Sequence, residues 1–350
     1  MIARRIPIVQ APLAGGPSTP ELAAAVSEAG APGFVAAGYR APAAMSDDIA
    51  EVRGRTREPF GVNVFAGTPT EVPAAVLRAY AERVRRSTRH TGVEPGKPRS
   101  DDDRFEEKCE ALASDPVPVV SFTFGCPSPQ LVRRLHDAGS EVWVTVTDTA
   151  EARAARDAGA DALVAQGIEA GGHRASFEDP GGGDYGLLAL LELLEASIDL
   201  PLVASGGIAT GRGVAAVLCA GATAAQLGSG FMRCPEAGTA PVHREALARP
   251  GRTALTRAFT GRSARGIVNR FLTENADEAP SAYPAVHHLT APIRAEARRT
   301  GDADVLNLWA GQAHELAEEL PAADLVRKID ADARAALAEA RKRTVPVGGE

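Results

Sequence analysis

Cysteine is scarce in this chain of 350 residues: there are four, Cys109, Cys126, Cys219 and Cys234, with no CxxC pair among them. Scattered thiols lack the spacing of a zinc site, so no metal is expected. A long chain with so few fits a reducing compartment, and the cytoplasm is the expected location. No basic block is present either. The formal net charge is -7 and the charges are mixed along the chain, which argues against nucleic acid or an anionic membrane surface as partner. The Asp101–Asp103 run reads as a solvated loop. No window is apolar for long enough to cross a bilayer, and no apolar stretch follows the charged start Met1–Arg5, so no signal peptide is expected. A Walker lysine loop is missing, as is a GxGxxG after the first strand.

A short unit recurs in what is there. Glu28-Ala29-Gly30 precedes Gly33–Ala37, Asp137-Ala138-Gly139 precedes Glu141–Val146, Asp157-Ala158-Gly159 precedes Asp161–Ala165, and Cys219-Ala220-Gly221 precedes Ala222–Leu227. Each copy is a helical stretch, a glycine suited to the left-handed position after a helix, and a short apolar run. The runs do not alternate cleanly, as in strands buried on both faces of a parallel sheet. Thr19 before Pro20 predicts a helix start, and Asp148 with Glu151 has the spacing of a capping box. Eight strands are predicted, near 7–11, 33–37, 60–65, 117–122, 141–146, 161–165, 201–205 and 222–227. Alternating β and α with eight units predicts a (β/α)8 TIM barrel; an open doubly wound sheet is the alternative. The expected division is a barrel over 1–235, a small lid or substrate domain over 236–290 after strand eight, and a C-terminal helical segment over 291–350 returning to the barrel. Residues 66–116 form a second insertion, between strands three and four.

Barrel enzymes place their chemistry on the loops after the strands. Those loops hold Gln10–Gly16, Asn63, Ser121–Gly125, Gln166–His173, Ser205-Gly206-Gly207 and Gly228-Ser229. Glycines after strands seven and eight let backbone N–H groups approach a phosphate, with a following helix adding its dipole. The phosphate would belong to a mononucleotide cofactor or a phosphorylated substrate. His173, after a glycine pair in a loop over the barrel mouth, is the candidate catalytic residue, able to give, take or share a proton near neutral pH. His90, His136, His243 and His314 read as surface residues. Asn63 and Gln166 are amides among apolar neighbours, whose partners are either a ligand or local backbone. Cys126 and Cys234 lie past strand ends with no activating base in view and read as structural.

The stretch Ala165-Gln166-Gly167-Ile168-Glu169-Ala170-Gly171-Gly172-His173-Arg174 resembles the signature of class I nitronate monooxygenases, formerly 2-nitropropane dioxygenases. The similarity extends to Gln10–Leu13, Gly61–Asn63, Val120–Gly125, Ser205–Ile208, Gln226–Ser229, Thr256–Arg262, Asn269–Phe271 and Trp309–Gln312. The resemblance implies FMN at the barrel mouth. Ala11, Pro12 and Leu13 would line its ring, Asn63 and Gln166 would hydrogen-bond it, and Gly171, Gly172, Ser205, Gly206, Gly207, Gly228 and Ser229 would hold the ribityl phosphate region. His173 would face the substrate, with Thr123, Tyr283 and His287 as further substrate contacts. It also implies the reaction: an alkyl nitronate, such as propionate 3-nitronate, is denitrified with O2 through a flavosemiquinone, releasing nitrite. Nitronate and O2 are then the partners, and both a monomer and a dimer remain open.

Three positions depart from the family's pattern. Thr123 replaces a histidine, Ser229 a threonine, and Ala175 a glycine. A rival on the same scaffold is an NADH-dependent flavin reductase, either of the enoyl-acyl-carrier-protein reductase type, which shares a similar EAGGH loop, or of the quinone reductase type, which shares the barrel. Less favoured are a barrel like inosine-monophosphate dehydrogenase, whose loop cysteine is missing here, and a flavin-binding module without turnover.

Overall fold

The computed structural model describes residues 6–179, 181 and 183–344; the start Met1–Arg5 and the end of the expected 291–350 segment fall outside them. The strands are β1 (Ile8–Gln10), β2 (Gly33–Ala36), β3 (Phe60–Phe65), β4 (Val119–Thr123), β5 (Glu141–Val146), β6 (Ala162–Gln166), β7 (Gly172–His173), β8 (Leu202–Ser205), β9 (Ala224–Leu227), β10 (Thr253–Thr256) and β11 (Ala264–Ile267). The helices are α1 (Pro20–Glu28), α2 (Pro42–Arg55), α3 (Ala74–Ser87), α4 (Phe105–Ser114), α5 (Pro129–Ala138), α6 (Thr149–Ala158), α7 (Leu187–Glu195), α8 (Gly211–Cys219), α9 (Pro241–Leu247), α10 (Arg270–Asn275), α11 (Ala285–Thr300) and α12 (Ala322–Thr344).

Eight parallel strands run in the order β1-β9-β8-β6-β5-β4-β3-β2, and the protein is a (β/α)8 TIM barrel. Each falls within two residues of its predicted position, because every strand is buried along nearly all its length and reads as a short, mainly apolar run. In β5, Trp143 is fully buried inside the barrel against Phe34, 5.7 Å away between ring centroids, while Val142, Val144 and Val146 pack under the helices. The seam between β1 and β2 is closed by Gln10. Its backbone N–H donates to the Pro32 carbonyl at 3.0 Å, and its Oε1 accepts from the Phe34 N–H at 2.8 Å. Helix starts follow their caps: Thr19 Oγ1 accepts from Leu22 N at 3.0 Å. At α6, Asp148 caps the Ala150 and Glu151 N–H groups as expected. Glu151 does not close the box on Asp148. It accepts from Thr147 N at 2.6 Å and from Phe177 N at 2.6 Å, tying the helix to the loop after β7.

Beyond β9 the chain builds a second layer over the barrel mouth. β10, β11 and β7 form an antiparallel sheet, so the His173 segment, read as a loop, is the edge strand of a sheet completed far downstream. A second apolar cluster gathers Phe259, Phe271, Val286, Leu289 and Ile293 with Tyr80 and Val84 of α3 and with Leu306 and Leu308. It thus draws on the 66–116 insertion and on residues after 290. We propose to draw the small unit around this cluster rather than at 236–290 alone. α12 then returns to pack on α8 and α1. No helix of the described residues is long and apolar enough to cross a membrane.

Candidate active site

A cavity of about 220 Å³ opens at the C-terminal ends of the strands. Ala11, Pro12, Leu13, Asn63, Thr123, Gln166, Gly171, Gly172, His173, Ser205, Gly206, Gly207, Gly228, Ser229 and His287 all line it. Tyr283, also predicted, stands behind this lining: it is buried edge-on to His173 and Phe124, with its hydroxyl 3.3 Å from that of Tyr39.

His173 is placed by backbone pairing of β7 with β11 at Ala264. Phe124, Tyr283 and Trp309 surround its ring at 5.5, 5.9 and 5.7 Å. Its Nε2 lies 2.9 Å from Thr260 Oγ1, which also faces the Arg262 carbonyl at 3.2 Å. The hydroxyl has one proton for two acceptors, so the imidazole is free to adopt either tautomer. Burial, then the positive charges of Arg262 and Arg294, push its pKa down to about 3. At neutral pH this is an uncharged hydrogen-bonding group in positive surroundings, and a weak base.

The amides differ in how they are satisfied. Gln166 is held by its own loop: Nε2 donates to the His173 carbonyl at 3.1 Å, and Oε1 accepts from Ala175 N at 2.9 Å and Arg174 Nη1 at 3.2 Å. Asn63 turns Nδ2 to Ser121 Oγ and Thr123 Oγ1, each 3.0 Å away, and leaves Oδ1 as an acceptor on the cavity. Thr123 therefore serves Asn63 and approaches Thr145 Oγ1 at 3.5 Å. Asn307, which also lines the cavity, has a buried Oδ1 with no partner among the described residues.

The glycine loops after β8 and β9 bring free backbone donors to the cavity lining. The backbone N–H groups of Gly206, Gly207, Gly228 and Ser229 reach no acceptor among the described residues. Gly207 has φ +67°, which a side chain rarely adopts, and a Cβ there would meet Glu169 Cβ at 3.0 Å. Ser229 Oγ accepts from Gly311 N at 2.9 Å, fastening the loop to the second layer. Unpaired N–H groups turned toward one cavity suit a phosphate.

Several lining residues escaped the sequence reading. His243 and His314 are buried on the cavity, not at the surface. His243 Nε2 lies 2.9 Å from the Trp309 carbonyl and its pKa is pushed down to about 4, mainly by burial. Both sit in polar helical contexts that gave no signal. Thr260 and Trp309 lie in segments that carried the family resemblance, which was the available clue. Arg294 and Tyr39 had none. The Asp101–Asp103 run is solvated at Asp101 and Asp102 but not at Asp103. Asp103 forms a 2.6 Å ion pair with fully buried Lys108 and accepts from Tyr39 N at 3.1 Å. Cys126 and Cys234 are unpaired, and burial pushes their thiols up to about 11 and about 12, which disfavours the thiolate. Among the described residues no group of three or more His, Cys, Asp or Glu could hold a metal ion.

Comparison with known proteins agrees with this geometry. The sequence pattern of the nitronate monooxygenase family matches residues 2–332. A nitronate monooxygenase of Pseudomonas aeruginosa is 42% identical over 341 residues, covering 92% of this chain and 95% of its own. One from Paraburkholderia phytofirmans is 38% identical over 352 residues, covering 96% and 94%. A nitroalkane oxidase from Streptomyces ansochromogenes superposes with TM-score 0.92 at 48% identity, covering 97% and 98%. FabK from Thermotoga maritima superposes with TM-score 0.73 at 28% identity, covering 98% and 96%. With the family pattern spanning nearly the whole chain and relatives this similar, the chain belongs to the nitronate monooxygenase family of oxidoreductases.

Proposed function

We propose that this enzyme oxidises alkyl nitronates with FMN and O2, releasing nitrite. The observation that carries the reading is a part-buried His173, 2.9 Å from Thr260, in a cavity onto which Arg294 projects, with Arg262 packed over the Phe124 ring. Such a site favours an anion and lacks a strong base, so it suits a preformed nitronate better than a neutral nitroalkane, whose carbon must first lose a proton. His173 would hydrogen-bond the nitro oxygens, and Thr260 would hold its ring. The apolar walls Phe124 and Trp309 keep water from the reacting carbon.

The residues fit FMN. Gly206, Gly207, Gly228 and Ser229 would take the phosphate on their free N–H groups, with Gly171, Gly172 and Ser205 beside them. Ala11, Pro12 and Leu13 would line the ring, Asn63 Oδ1 would accept from its edge, and Gln166, with one N–H already committed, would offer its other. Bound FMN supplies the electron chemistry between nitronate and O2. The four unpaired cysteines support a reducing compartment, the cytoplasm.

The test is to load the purified protein with FMN or with riboflavin, then add propionate 3-nitronate in air. FMN should bind at least tenfold more tightly, and nitrite should appear as O2 is consumed. The Glu169–His173 loop, which resembles that of flavin-type enoyl-acyl-carrier-protein reductases, supports a second reading as a reductase. Rapid anaerobic bleaching by NADH, with no nitrite from the nitronate, would replace the first reading with the second.

A further inference from the structure

Arg174 follows His173 in sequence but stands behind the cavity lining, 5% exposed. Its backbone is pinned to the second layer: its N–H donates to the Ser263 carbonyl at 2.8 Å, and its carbonyl accepts from Arg262 Nε at 3.4 Å. Its guanidinium turns back to the end of β6. Nη1 donates to the Gln166 carbonyl at 3.1 Å, to Gln166 Oε1 at 3.2 Å and to the Gly167 carbonyl at 2.9 Å, while Nη2 approaches the Gly183 carbonyl at 3.5 Å. Every acceptor is neutral, and among the described residues no carboxylate pairs with it. Burial accordingly lowers its pKa from the ordinary arginine value. A guanidinium taken out of water and left without a counter-charge is costly, so what it holds in place must matter.

These partners decide which end of the Gln166 amide is oxygen. Arg174 Nη1 and Ala175 N, the latter 2.9 Å away, are donors only, so the atom they meet is Oε1. The His173 carbonyl is an acceptor only, so the atom 3.1 Å from it is Nε2. Oε1 thus has both lone pairs engaged, and Nε2 keeps one proton for the cavity that Gln166 lines. Ala175 N alone would leave the side chain a pivot. One guanidinium nitrogen that grips the main-chain and the side-chain oxygen of the same residue closes a ring and removes it. Asn63 of β3 meets the same cavity with the opposite polarity, its Oδ1 free to accept. A ligand edge that carries both an acceptor and a donor matches the two amides.

We propose that Arg174 is a positioning residue for the cofactor: by gripping both oxygens of Gln166 it presents an N–H, rather than a carbonyl oxygen, to the cavity. The inference rests on the FMN reading for the ring that is served, but not for the grip itself. A hydrogen bond strengthens when its acceptor gains negative charge, so a fixed N–H donor favours the electron-rich ring over the electron-poor one. The arginine thereby acts on the potential of bound FMN without touching it.

The experiment measures the reduction potential of FMN bound to the wild-type protein, to Arg174→Met, to Gln166→Met and to the double variant. Each single change should lower it by about 20–30 mV, a loss of roughly fivefold to tenfold in preference for the reduced ring at about 30 mV per tenfold for a two-electron couple. The double variant should fall no further than either single one, because both remove the same donor. Arg174→Lys, which keeps a donor nitrogen, should recover most of the loss. Arg174→Gln, shorter and uncharged, serves if the methionine variant does not fold. An unchanged potential in Arg174→Met beside a lowered one in Gln166→Met would overturn the proposal, and so would losses that add in the double variant. If the protein takes up no FMN, the cofactor reading falls and the free protein decides the grip, through NMR of its isotope-labelled glutamine side chains. The Gln166 amide signals, identified by their loss in Gln166→Met, should shift in Arg174→Met, which upholds the grip; signals that stay in place overturn it.

Discussion

The contact between Thr260 and His173 is the smallest unit on which activity should depend. Thr260→Val keeps the shape and removes the one side-chain hydrogen bond of the imidazole among the described residues. A bond of about 1 kcal/mol corresponds to roughly a fivefold to tenfold fall in kcat/KM for the nitronate. His173→Asn should cost on the order of a hundredfold or more. Steady-state nitrite release checks both, and a Thr260→Val enzyme at full activity would remove the threonine from the proposal. His173 was legible because its loop and glycine pair announced it. Thr260 was not, since a threonine many residues away acquires meaning only when β11 pairs with β7. His243 and His314 were misread for the same reason: nothing in their own neighbourhoods says that the second layer buries them.

At the scale of elements, the segment between β3 and β4 illustrates the limit of pattern reading. Three consecutive aspartates look like a solvated loop, and two of them are largely that. Asp103 instead meets Lys108, which is fully buried and also donates to the Ala37 carbonyl at 2.9 Å. Together they hold Tyr39 at φ +66°, a left-handed conformation unusual for tyrosine. Removing one partner strands a buried charge. Lys108→Met should therefore destabilise the fold by about 3–5 kcal/mol, and Asp103→Asn combined with it by less than the sum of the single changes. Urea unfolding of the three variants measures the coupling, and strict additivity would dissolve the pair. The barrel strands, by contrast, were legible almost to the residue, because a buried apolar run and a preceding glycine are local signals.

Across the whole molecule, three histidines share one fate. His173, His243 and His287 have pKa values pushed to about 3, about 4 and about 2, in each case chiefly by burial. In the unfolded chain they take up protons near the ordinary value of about 6.5. Above pH 7 both states leave them neutral and they contribute no slope. Below 6.5 the unfolded state binds protons that the native state refuses, so stability falls as pH falls, by up to about 1.4 kcal/mol per pH unit for each histidine. The urea midpoint should be level from pH 8 to 7 and drop toward pH 5, and His243→Leu should flatten the drop by about a third of the slope. A midpoint constant down to pH 5 would contradict the burial of these rings.

The pairing of β7 with β11 also sets an order of events during synthesis. A ribosome that has released the chain through β9 has supplied all eight barrel strands, and packing among them can begin. His173 is by then long emerged but has no partner strand, and Trp309, which closes one side of its ring, has yet to be made. A nascent chain can thus complete its scaffold while its reactive centre is still unassembled, and competence arrives only with the last quarter of translation.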